Sequence, residues 1–116
     1  MDSKRPAPRS DIPQGTLDVM VLQCLNSMGA QHGYGIARRL EQISDDALQL
    51  KQGTIYPALV RLQEKGWISA EWGVSENNRK AKFYAITRTG RKQLAVETAQ
   101  WHALAGTMAR LLKVTG

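Results

Sequence analysis

The side chains best suited to chemistry fall in two groups. Lys51, Gln52, Thr54, Tyr56, Arg61 and Lys65 place cations, an amide and hydroxyls within one short stretch. Arg79, Lys80 and Lys82 then open a run to Lys92 that holds six basic residues and no acidic one. A merely solvated face mixes signs, so this concentration suits hydrogen bonding and charge neutralisation on a polyanion. Bond-making chemistry is not indicated. There is no glycine-rich phosphate loop, no nucleophile paired with a base, and no carboxylate dyad, Asp45-Asp46 reading as a turn. His32, His102 and the lone Cys24 lie too far apart in sequence to suggest a metal set. No catalytic residue, cofactor or metal is therefore expected.

The stretch Leu50–Ile68, LKQGTIYPALVRLQEKGWI, must position the first group. Ile55, Leu59 and Leu62 recur at i, i+4 and i+7, which predicts a helix seated on a core by one rail. Gly66 is expected to end it. Pro57 leaves two starts open: with Thr54 as N-cap it occupies the third helical position at little cost, whereas an earlier start distorts the first turn.

At 116 residues, 42% of them hydrophobic and with a formal net charge of +6, the chain is one small domain whose core gains from self-association. One cysteine excludes an internal disulfide. With no signal-like or membrane-length apolar segment, the default is a reduced, soluble, cytoplasmic protein with no membrane partner. Residues 1–14, with three prolines and three basic groups, predict a flexible basic arm.

A first helix is expected from Thr16, as N-cap, to Gly29. Leu17, Met20, Val21, Cys24, Leu25 and Met28 form its apolar stripe, and Asp18 sits in its first turn. Val19 and Leu22 lie off the stripe, so part of this helix is expected to face a second subunit. A second helix follows Gly33 and Gly35, with Ile36, Leu40 and Ile43 inward and His32 making a local turn contact. Trp67–Trp72 and Lys82–Thr87 read as two strands of a hairpin turning at Asn77-Asn78. From Thr87 a last helix runs to about Lys113, roughly 39 Å. Leu94, Trp101 and Met108 are seven apart and Leu104 pairs with Leu111, a heptad seam weakened at Glu97. Leu17, Val21, Leu94, Trp101, Leu104, Met108 and Leu111 are the candidate interface of a homodimer.

Helix, helix, helix, hairpin and long helix together make a mainly α winged helix-turn-helix with a small β-hairpin wing. Residues 15–87 would be the DNA-binding domain and 88–116 the dimerisation helix. Such a helix fits the major groove of a duplex and such a hairpin reaches the flanking backbone. A protein-interaction or RNA-binding module without operator specificity stays open on the residues alone.

Four stretches, GTLDVMVLQCL, HGYGIARRL, GTIYPALVRLQEKGWI and SENNRKAKFYAITRTGRKQL, resemble PadR-type transcriptional regulators over about residues 15 to 94. The resemblance implies a homodimeric repressor on a palindromic operator in double-stranded DNA, in many members released by a small hydrophobic or phenolic effector. It implies that Gly53, Thr54, Tyr56, Pro57 and Arg61 belong to the recognition helix and Arg79, Lys80 and Lys82 to the wing. Tyr34, in the HGY motif, would pack the second and third helices together. The chain ends soon after Gly90, so the short form with a single C-terminal helix is the one it resembles; any effector would then lie between subunits, with Trp101 on the seam as the candidate to stack on it if it is not simply an anchor of the dimer core.

Overall fold

The structure, a computed structural model, describes residues 12–50 and 52–114. The expected basic arm lies almost wholly outside the described residues, as does Lys51. The elements are α1 (Gln14–Met28), β1 (Gln31–His32), α2 (Gly33–Ile43), α3 (Gln52–Glu64), β2 (Ile68–Val74), β3 (Lys80–Ile86) and α4 (Arg88–Val114). This is the mainly helical winged-helix architecture that the alternation of helical and strand patterns predicts.

The apolar rails meet in one core. Leu22, Leu25, Ile36, Ile55, Leu59, Leu62 and Ile68 are almost completely enclosed, each contributing roughly 1.5–3 kcal/mol by leaving water. Leu22 lies off the sequence stripe yet is buried, whereas Met28 and Ile43, both on expected rails, are exposed at the ends of α1 and α2. Helix α1 begins two residues before the expected Thr16 cap, with Pro13 in the cap position and no side-chain cap. Asp18 consequently lies beyond the first turn and is buried.

His32 caps α2, its Nδ1 accepting from the Gly35 N–H at 2.9 Å. Its backbone also forms β1, which adds a third antiparallel strand in the order β1-β3-β2, with Gln31 opposite Tyr84 and His32 opposite Phe83. Two residues carry no periodicity, which is why the sequence showed a two-stranded hairpin.

After α2 the chain turns through Asp45 and Asp46, both at positive φ. Glu41 Oε2 accepts the Leu50 N–H at 3.2 Å, tying the approach to α3 back onto α2. Helix α3 starts at Gln52, so Pro57 lies inside it rather than in its first turn. The earlier of the two starts is the one adopted, and Pro57 supplies no N–H for the Gly53 carbonyl.

Thr87 is the joint between wing and α4. Its hydroxyl donates to the Gly66 carbonyl at 2.7 Å and accepts the Gly90 N–H at 3.0 Å, and its own N–H donates to the Trp67 carbonyl at 2.9 Å. A Cβ at Gly90 would overlap the Trp67 carbonyl oxygen, so only glycine lets α4 start this close to the sheet. The early part of α4 packs on α1 and sends Leu94 into the core. From Ala99 onward α4 is almost entirely exposed as far as Lys113.

Candidate nucleic-acid interface

The core fixes which side of α3 looks outward. Ile55, Ala58, Leu59 and Leu62 are buried, so Gly53, Tyr56, Pro57, Val60, Gln63 and Glu64 form the exposed stripe. Tyr56 is half-exposed, its ring lying against Gly33 at the start of α2, where a Cβ would come within 3.0 Å of the phenol. Thr54 is half-buried beside it. Val60, 53% exposed, is a surface residue that the functional reading of the sequence passed over. Its position off the Ile55-Leu59-Leu62 rail was the available signal. A bare valine on such a stripe can contact a thymine methyl.

Arg61 corrects the sequence reading. It turns inward, with one terminal guanidinium nitrogen 2.8 Å from Asp18 Oδ1, and its Nε is enclosed. Asp18 is the buried charged residue of α1. The pair locks the recognition-helix candidate to α1, so Arg61 positions α3 instead of offering a fork to bases.

Tyr34 also departs from expectation. It is 68% exposed and stacks near His32, with ring centroids 6.3 Å apart, so it does not pack α2 against α3. Tyr56 takes that role against Gly33. Phe83 braces His32 from β3, edge to face at 5.5 Å.

Beyond α3, Lys65 lies over the Trp67 ring at 4.7 Å. On the wing Arg79, Lys80 and Lys82 are exposed and make no ion pair among the described residues. The Ser75 N–H donates to the Arg79 carbonyl at 2.8 Å, and Asn78 takes positive φ, which together close the turn. The structure thus brings Tyr56, Pro57 and Gly53 onto one helix face with Gln52 opening the helix, and gathers three cations on the adjoining hairpin.

Among the described residues two titratable groups are shifted. Burial pushes the Tyr84 phenol up from its ordinary 10.0, with the neighbouring Tyr56 adding to the effect. Burial likewise raises the Cys24 thiol from 9.0, against a smaller opposing effect of Arg39. Cys24 is thus a core group, not a reactive one. Among the described residues no group of three His, Cys, Asp or Glu side chains could hold a metal.

The dimer candidates divide. Leu17, Val21 and Leu94 are buried within their own chain, at 3%, 0% and 6% exposure, and cannot also cover a partner. Trp101, Leu104, Met108 and Leu111 are all about half-exposed or more. Trp101 and Leu104 also line a groove of about 380 Å³ between the start of α1 and α4, with Pro13, Thr16, Val19, Met20 and Glu97.

A core-seated helix with an outward stripe, flanked by a cationic hairpin and followed by a long helix, defines a winged helix-turn-helix protein. The particular family follows from comparison. The model of the family described as "Transcriptional regulator PadR-like family" matches residues 21–96. The chain belongs to that family and is a transcriptional regulator, not an enzyme. An uncharacterized protein of Lysinibacillus sphaericus is 31% identical over 93 residues, 80% of this chain and 84% of its own length. A transcriptional regulator from Clostridium thermocellum superposes with a TM-score of 0.76 at 27% identity, covering 87% of this chain and 97% of the other. A PadR family regulator from Eggerthella lenta gives 0.70 at 30% identity, covering 85% and 83%.

Proposed function

We propose that the protein is a homodimeric repressor that binds a palindromic operator in double-stranded DNA. The observation that carries this is the exposed stripe of α3, Gly53-Tyr56-Pro57-Val60-Gln63-Glu64, standing beside a wing whose three cations make no ion pair among the described residues. In this reading α3 enters the major groove, where Tyr56 and Val60 meet base edges. Lys51, Gln52, Thr54 and Lys65 serve the ends of the helix, and Arg79, Lys80 and Lys82 take flanking phosphates. Release of counterions from those phosphates makes binding fall steeply with salt.

Residues 15–87 act as the DNA-binding unit and 88–116 as the dimerisation helix, with the first turns of α4 shared between the two. Trp101, Leu104, Met108 and Leu111 keep the 7-residue spacing of a helix–helix seam and leave it uncovered within one chain. A second copy of the same helix covers it, and the two copies of α3 are then set about one DNA turn, ~34 Å, apart. The α1–α4 groove beside Trp101 is the place for a flat hydrophobic or phenolic effector that loosens this spacing. No helix among the described residues is long and apolar enough to cross a membrane, and the proposed site of action is the cytoplasm.

Selection from a randomised duplex pool tests the reading. Enrichment of an inverted repeat with half-site centres one turn apart is expected. A pool that remains unenriched after repeated rounds would contradict it. Sedimentation at micromolar concentration should give a dimer, and a monomer there would overturn the seam.

A further inference from the structure

The ion pair between Asp18 and Arg61 is a weak way to join two helices that could pack apolar groups instead. Asp18 is 6% exposed and lies beyond the first turn of α1, where the helix dipole would favour a carboxylate. Its 2.8 Å contact is a charge-assisted hydrogen bond from one terminal nitrogen to one carboxylate oxygen. The two-pronged fork open to an arginine and a carboxylate is not made, and the enclosed Arg61 Nε has no acceptor among the described residues. Replacing such an enclosed pair with apolar side chains of similar volume is often neutral or stabilising. What the pair supplies, and apolar contacts do not, is direction.

Helix α3 has little else of that kind. Its buried rail, Ile55, Ala58, Leu59 and Leu62, is held by apolar burial, which is non-directional and leaves the helix free to rock. Among the described residues no other hydrogen bond or ion pair joins an α3 side chain to another element. The pair ends on α1, which is also the helix against which α4 packs. Helix α4 then carries the exposed Trp101, Leu104, Met108 and Leu111 to the dimer axis proposed above. We propose that Asp18 is a positioning residue for operator recognition, fixing through Arg61 the angle of α3 against the α1–α4 body. Two copies of α3 held at fixed angles accept one separation of half-sites. One inserted base pair moves a half-site by about 3.4 Å and turns it by about 35°, which a rigid pair of helices cannot follow. Without the link each α3 rocks, and the dimer tolerates several separations. This rests on the homodimer and palindrome reading above and adds to it the residue that sets the spacing.

The test uses the full chain on the selected inverted repeat, with its spacer unchanged, lengthened by one base pair or shortened by one. Wild type is expected to bind the unchanged spacer about tenfold more tightly than either altered one, the order of one mismatched base pair. Asp18→Leu with Arg61→Met replaces the pair by apolar side chains and should fold and still sediment as a dimer. Its ratio between spacers should fall close to one while its affinity for the unchanged repeat drops only slightly. Asp18→Asn keeps the shape and weakens the pair, so it should give an intermediate ratio and serves as the second variant if the double one unfolds. Loss of stability alone would weaken all three duplexes alike and leave the ratio where it was. A wild-type protein indifferent to the spacer, a folded variant of either kind that keeps the full ratio, or a variant that loses it only by becoming a monomer would overturn the positioning role while leaving the repressor reading intact. Failure to enrich any inverted repeat is the separate outcome that removes the reading beneath it.

Discussion

Arg61 and Arg79 look alike in the sequence, two arginines on segments suited to meeting a polyanion, yet the structure gives them opposite fates. Arg61 is spent on Asp18 inside the domain, and Arg79 stands at the tip of the wing in solvent. The same division separates α3, whose outward stripe is mostly uncharged, from the hairpin, where Arg79, Lys80 and Lys82 are exposed beside Trp72 and Val74. In the proposed reading, a helix without free cations on its stripe would discriminate through shape and methyl contacts, while Arg79, Lys80 and Lys82 would supply affinity without regard to sequence. The C-terminal half of α4 repeats the lesson, since Leu94 serves its own core and Leu104, in the same heptad pattern, is 53% exposed. An apolar or basic pattern shows that a group is used; the neighbours decide by whom.

The comparison breaks most sharply at the inner arginine. Arg61→Ala leaves Asp18 charged and enclosed without its partner, which should cost about 4 kcal/mol in urea unfolding. Arg61→Ala with Asp18→Ala should recover part of that loss, since no unpaired charge remains. A fully stable Arg61→Ala protein that binds all duplexes equally would instead make Arg61 a base reader.

Next in size is the α4 pair of leucines. Leu94→Ala empties core volume and should destabilise the subunit by roughly 2–5 kcal/mol. Leu104→Ser together with Met108→Ser should leave the helical circular dichroism unchanged and shift the sedimenting species to monomer. Arg79→Ala should lower affinity several-fold for every duplex and reduce the salt slope by about 1.

A smaller effect is expected in alkali. Tyr84 and Cys24 both hold their protons more tightly when folded, so the unfolded chain ionises first as pH rises. Between the unfolded and folded values the native state binds more protons, and stability falls with increasing pH. The decline should begin near the ordinary thiol value of 9.0, steepen past the ordinary phenol value of 10.0, and be absent below them. Cys24→Ser with Tyr84→Phe should flatten the curve, which thermal midpoints taken across this range would show.

The helices and the wing were legible because their rails are long: Ile55-Leu59-Leu62 and the Trp67–Trp72 alternation each repeat a period several times. Thr87 as the cap of α4 and Gly66 as the end of α3 were legible from local chemistry. Strand β1 was not, because pairing of Gln31 and His32 with β3 is a tertiary event that two residues cannot announce. The α1 start was misplaced because Thr16 has the side chain of a cap, whereas the helix begins at Gln14 without one. Arg61 was misread because its partner lies 43 residues earlier, and no spacing rule joins positions that far apart. Leu17 and Val21 were offered to a second subunit because one helix's stripe does not state how many neighbours it has. Of the site, the wing cations stand exposed where their sequence run suggested, and Val60 emerged only when the buried rail fixed the outward direction.

The most direct measurement compares specificity ratios, operator over random duplex, for one α3 variant and one wing variant at fixed salt. Val60→Ser should lower the ratio about tenfold, the order of one base pair's discrimination, with random-duplex affinity unchanged. Lys80→Ala should lower both affinities and leave the ratio where it was. A Lys80→Ala protein that loses the ratio while Val60→Ser keeps it would contradict the division of labour between helix and wing.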